Sequence, residues 1–91
     1  FGGWGIYKDG IIFAIIIDGE LYFKVDEMNR PDFEELGSHP FVYKQGEQNS
    51  TMSYWLLPAE VQEDREILVV FVEKSVAAAR RKKTTKLMKK K

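Results

Sequence analysis

The stretch Trp4-Gly5-Ile6-Tyr7-Lys8-Asp9-Gly10-Ile11-Ile12-Phe13-Ala14-Ile15-Ile16-Ile17-Asp18-Gly19-Glu20-Leu21-Tyr22-Phe23-Lys24-Val25 contains three apolar runs joined by two Asp-Gly pairs. Asp-Gly between such runs signals a hairpin, because a two-residue type I′ turn needs positive φ at both central positions and twists with its strands. A three-stranded antiparallel meander follows. With two-residue loops at both turns, Tyr7 opposes Ile12 and Gly5 opposes Ala14. Across the second turn, Ile16, Ala14 and Ile12 oppose Leu21, Phe23 and Val25. That face is apolar throughout, and the small pair Gly5 and Ala14 leaves room for the Phe23 ring. The opposite face is mixed: Trp4, Ile6, Phe13, Ile15 and Ile17 stand beside Tyr22, Glu20, Lys24 and Lys8.

Residues 11–17 are apolar on both sides, which places this strand inside the sheet. Each isoleucine there contributes about 1.5 to 3 kcal/mol when fully buried, whereas the same strand at an edge would aggregate. The mixed face then needs a cover: a helix, a segment ahead of Phe1, or a second subunit. Trp4, Ile6, Phe13, Ile15 and Tyr22 are the candidate partner face, for a protein partner or a homodimer.

Beyond Val25 the period changes. Asn29 can cap, Pro31 suits an early helical position, and Phe33 with Leu36 has i, i+3 spacing before Gly37, so a short helix is expected over residues 30–36. Residues 41–44 and 51–57 read as strands four and five, joined by the polar stretch Gln45 to Ser50. Pro58 opens a brief helical stretch to Glu63, and Asp64 can cap a longer helix from Arg65 to about Lys83. Ile67, Leu68, Phe71, Val72, Ser75 and Ala79 form a stripe wide enough to lie across a sheet. The fold class is α+β: a five-stranded antiparallel sheet, made of a meander of three, a short helix and two strands, with a long C-terminal helix packed on it.

At 91 residues the chain makes one domain that buries only about 60 to 65% of its unfolded surface. It has no cysteine, so neither a disulfide nor a thiolate metal site exists and nothing asks for an oxidising compartment. Cytoplasm is the expected location. No apolar run approaches the roughly 18 residues of a spanning helix, and Phe1-Gly2-Gly3 is not a charged signal-peptide opening. No membrane role is expected. The chain lacks an initiator Met, and natural residues ahead of Phe1 are expected.

The side chains that could do chemistry assemble nothing. Gly2-Gly3-x-Gly5 leads into a strand, whereas a phosphate loop leads into a helix whose amides hold the anion. His39 is the only histidine and has no second ligand for a metal. The adjacent pairs Asp26-Glu27 and Glu34-Glu35 point in different directions and cannot share a proton. Ser50, Thr51 and Ser53 have no nearby base. Tyr54 and Trp55 alternate sides of a strand and read as core packing rather than as a platform for bases. No catalytic residue, cofactor, metal or small-molecule substrate is expected, and an enzyme ranks last.

Zero net charge hides a split. Residues 1–79 hold all 14 acidic side chains and six basic ones, while Arg80, Arg81, Lys82, Lys83, Lys86, Lys89, Lys90 and Lys91 form a block without an acid. Eight phosphate contacts to duplex DNA would give a log-log salt slope of about −7. Against this, the acidic body repels the same phosphates. Sequence-independent nucleic-acid binding through this tail is therefore the alternative function. The chain divides into a domain over residues 1–81 and a basic tail over 82–91, read as a helix extension or a disordered segment.

Phe1-Gly2-Gly3-Trp4-Gly5-Ile6-Tyr7, then Asp18-Gly19-Glu20-Leu21-Tyr22-Phe23-Lys24-Val25-Asp26, Asn29-Arg30-Pro31-Asp32-Phe33 and Met52-Ser53-Tyr54-Trp55 with Pro58 together resemble the N-terminal domain of the TfoX/Sxy family. These are bacterial regulators linked to natural DNA transformation. The resemblance runs from Phe1 to about Arg81, and the ordered series of segments is more specific than any one of them. It implies an α+β domain similar to secretion-chaperone-like folds, with a leading helix ahead of Phe1. It also implies a non-enzymatic cytoplasmic role in competence and transcriptional regulation. Family proteins often carry a second, C-terminal domain with helical DNA-binding-like character, where this chain has its lysine block. The resemblance supplies no catalytic residues to map.

Overall fold

The computed structural model describes the backbone of residues 3–45 and 48–89, with side chains described for residues 3–42 and 53–82. The elements are β1 (Gly3–Lys8), β2 (Ile11–Ile17), β3 (Glu20–Lys24), α1 (Arg30–Glu35), β4 (Pro40–Gln45), β5 (Gln48–Leu56), α2 (Ala59–Gln62) and α3 (Arg65–Lys89). The strands form one sheet in the order β1-β2-β3-β5-β4, every neighbouring pair antiparallel. The expected α+β class holds, and β2 lies between β1 and β3.

Both Asp-Gly turns take the expected form. Asp9 and Asp18 sit at φ 53°, followed by Gly10 and Gly19 at φ 77°, the left-handed pair that a type I′ turn requires. α1 ends where Gly37 takes φ 75°. There the Gly37 N–H donates to the Glu34 carbonyl and the Ser38 N–H to the Phe33 carbonyl, both at 3.0 Å, which satisfies two carbonyls at the helix end in a Schellman motif.

The register between β1 and β2 departs from the simple hairpin. Tyr7 opposes Ile12 as expected, but Gly5 opposes Ile15 rather than Ala14, because a bulge between Ile6 and Tyr7 leaves Phe13 as the extra residue on β2. An extra residue shifts the phase of every side chain beyond it. Phe13 and Ala14 therefore both join the core that includes residues from the helices, while Ile12 joins Ile15 and Ile17 in a separate cluster. A Cβ at Gly5 would lie 2.7 Å from Ile12 Cδ1, which the end of that side chain would have to shift to admit. On the other side of β2 the expected pairs Ala14 with Phe23 and Ile16 with Leu21 are present.

The main core comprises Phe13, Ala14, Phe23, Val25, Phe33, Leu57, Val61, Val76 and Ala79. Strand residues meet α1 through Phe33, α2 through Val61 and α3 through Val76 and Ala79. Phe33 stands edge-on to Phe71 at 5.1 Å and to Trp55 at 6.4 Å between ring centroids. Along α3, Leu68, Phe71 and Val72 pack against this core, and Ser75, Val76, Ala78 and Ala79 are buried. Ile67 leaves the expected stripe and is exposed, because at about 100° per residue it falls outside the arc centred on Leu68, Ser75 and Ala79.

Two boundaries move outward. β4 and β5 stay paired as far as Gln45 with Gln48, so Gln48, Asn49 and Ser50, expected in a polar connection, extend the ladder. α3 runs to Lys89, six residues past the expected end. Its start is as expected, with Asp64 Oδ1 accepting from the Glu66 and Ile67 N–H groups at 3.1 and 3.3 Å.

Candidate functional site

The second apolar cluster is the candidate site, and among the described residues it is built from strands alone. Ile15 and Ile17 of β2, Tyr22 of β3 and Tyr54 of β5 are buried, with Ile12, Phe41 and Leu56 packed beside them. Tyr22 stands edge-on to Phe41 at 5.2 Å. Burial raises the Tyr22 hydroxyl pKa, helped by Glu20 and Asp18, and burial raises that of Tyr54, with Tyr7 adding to it. Both phenols stay neutral at physiological pH.

Toward the free edge, Ile12, Ile15 and Ile17 floor a shallow hollow of about 210 Å³ whose walls include Trp4 and Tyr7. Trp4 is 77% exposed and Tyr7 63%. Large aromatic side chains that are this open, beside a continuous apolar floor, have the composition of a protein-binding anchor.

The five residues expected to share one partner face are divided by the bulge. Ile15 and Tyr22 lie in the strand-built cluster and Trp4 lines its hollow, whereas Phe13 belongs to the main core and Ile6 packs against it. Tyr7 joins the hollow, a placement that follows from the shifted phase and has no signal in the sequence.

The basic block is likewise divided. Arg81 donates to both carboxylate oxygens of Asp26, from Nε at 2.6 Å and from Nη2 at 2.9 Å. Arg80 lies 3.5 Å from Asp9 in the first turn. With Lys74 2.8 Å from Asp32, three ion pairs fasten α3 to the β1–β2 turn, the β3–α1 loop and α1. Two of the eight charges read as nucleic-acid contacts thus face acids of their own domain. Lys82 lies on α3 beyond them, and the side chains of Lys83, Lys86, Lys89, Lys90 and Lys91 lie outside the described residues.

The Arg81 guanidinium holds the Asp26 carboxyl below its ordinary value of 3.8; partial burial opposes this and the Met28 N–H assists. A carboxyl whose folded pKa is lowered adds stability above its unfolded pKa, and the gain disappears as pH falls through the folded value. Melting of the wild-type chain and Asp26→Asn should therefore differ by a constant amount above about pH 5, with the gap closing below the ordinary aspartate value. A gap independent of pH down to about 2 would show that the pair contributes nothing electrostatic.

The remaining candidates stay apart. His39 is exposed between α1 and β4, with Nδ1 3.2 Å from the Pro40 carbonyl oxygen. Glu34 pairs with Arg30 at 3.7 Å, and Gly3 and Gly5 lie within β1. Tyr54 and Trp55 pack in the two clusters as expected, and Ser53 accepts a hydrogen bond from Lys24. Ser50 and Thr51 side chains lie outside the described residues. Among the described residues no helix is long and apolar enough to cross a membrane.

The family model of the TfoX N-terminal domain matches residues 1–79, from the leading glycines to the last buried turn of α3. No curated protein matches the chain.

Proposed function

We propose, from the premise that this chain belongs to the TfoX N-terminal domain family, that it is a non-enzymatic regulatory module acting through protein contacts in the transcriptional control of competence. The family is associated with competence regulation and is a regulatory rather than a catalytic one. The observation that carries the reading is the strand-built cluster bordered by Trp4 and Tyr7. Its partner is a second protein surface, and a second copy of the chain is the first to test.

Sedimentation velocity of the full chain from micromolar to millimolar concentration is the test. Reversible dimerisation is expected, weakened at least tenfold by the double change Trp4→Ser and Tyr7→Ser, because aromatic anchors of this kind are worth about 2 kcal/mol or more when truncated. A monomer at every concentration would reject the homodimer, and capture of a protein partner that is insensitive to the double change would reject this face.

A further inference from the structure

A cleft of about 670 Å³ opens between the end of β3, the loop that follows it, β5 and the far half of α3. This lies within the range of small-molecule sites. Val25, Met28, Pro40 and Trp55 supply apolar wall, and Ser53 and Lys24 supply polar groups. The charged lining comprises Lys24, Arg30, Arg81 and Lys82 with Asp26 and Glu27; Arg30 pairs with Glu34 and Arg81 with Asp26, which leaves Lys24 and Lys82 as the lining cations without an ion pair among the described residues.

Lys24 is the informative group. Its Nζ donates to Ser53 Oγ at 2.6 Å and sits 5.0 Å from the centroid of the Tyr54 ring, and among the described residues it forms no ion pair. Burial lowers its pKa, and the charge of Lys82 lowers it further, against a weaker opposing effect of Asp26. Lys82, on the next turn of the cleft wall, has no ion pair among the described residues either. Asp26 cannot neutralise these two ammoniums well because both of its oxygens accept from Arg81. Two cations without an ion pair among the described residues therefore line one cavity that has an aromatic wall.

We infer that this cleft binds a small phosphate monoester carried on a flat apolar body, with Lys24 and Lys82 on the phosphate and Trp55 and Met28 against the body. A monoester carries about −1.5 to −2 at neutral pH, which matches the two lysine ammoniums that have no ion pair among the described residues, while a simple carboxylate would answer only one of them. Charge-assisted hydrogen bonds to phosphate oxygens would replace the repulsion between the ammoniums with attraction.

Calorimetric titration of the full chain with 1-naphthyl phosphate is the test, with 1-naphthol and inorganic phosphate run separately. The ester should bind at least tenfold more tightly than either component. Lys24→Met and Lys82→Met should each weaken it about tenfold or more, the loss expected for one charge-assisted hydrogen bond. Lys82 is exposed, so its variant remains informative if Lys24→Met disturbs folding, which circular dichroism would reveal. Three results would overturn the inference: no binding at millimolar ester, equal binding of inorganic phosphate or naphthol, or unchanged affinity in a folded lysine variant.

Discussion

Replacing Phe33 with alanine should cost about 3 to 5 kcal/mol of folding stability, the range for truncating a buried phenylalanine. The ring is 1% exposed and touches Phe71 of α3 and Trp55 of β5, so it links the short helix to both the sheet and the long helix. A 91-residue domain holds roughly 5 to 14 kcal/mol in total. The change therefore removes about a fifth of it or more. Urea unfolding is the measurement, and a midpoint lowered by about 1 to 3 M is expected. Ile67→Ala, at an exposed position on α3, should shift stability by no more than about 0.5 kcal/mol. Equal effects at the two positions would contradict the burial described for Phe33.

Asn29→Ala should cost about 2 to 4 kcal/mol, more than any ordinary helix cap. Its position at the start of α1 makes it a natural cap, yet its side chain makes no capping bond. It turns back into the preceding loop instead: Oδ1 accepts from the Asp26 N–H at 2.8 Å and Nδ2 donates to the Lys24 carbonyl at 3.1 Å. The residue is 1% exposed, so alanine would leave a donor and an acceptor unpaired where water has little access. Asn29→Asp separates the two bonds, because it keeps an acceptor for Asp26 and puts a second oxygen against the Lys24 carbonyl. Thermal melts should therefore rank wild type above both variants. An alanine variant within about 0.5 kcal/mol of wild type would show that the loop closes without this side chain.

The legible parts of the fold are those where one local rule dominates. Asp-Gly at positions 9–10 and 18–19 announced two turns, Gly37 and Asp64 announced helix ends, and the stripe through Leu68, Phe71, Val72 and Ala79 announced the face of α3. The bulge at Phe13 was not legible, since Ile-Ile-Phe-Ala-Ile-Ile-Ile is apolar on both sides and a slipped register exposes no polar residue to report it. That one ambiguity moved Phe13 from the candidate partner face into the main core and brought Tyr7 to the hollow. Asn29 was visible as a cap and not as a loop clasp, because its actual partners are backbone groups that carry no sequence signal. The bond between Asp26 and Arg81 spans 55 positions, and the charge run beginning at Arg80 looked uniform although its first two members face the domain. Lys24, near the end of β3, is an ordinary strand lysine until the topology brings it and Lys82 into the lining of one cleft.

The irregularity between the first two strands also bears on solubility. β1 is an outermost strand, with Trp4 open to solvent, glycine at positions 3 and 5, and Ile-rich β2 directly behind it. A straight margin of that kind would template the addition of further chains, ribbon upon ribbon. The Phe13 inserted in β2 increases the twist of the β1–β2 pair, and Lys8 adds a charge near the end of this border. Fibril growth from this side would first have to flatten that twist, so deleting one residue from β2 to restore an even ladder should hasten insoluble assembly even in a chain that still folds.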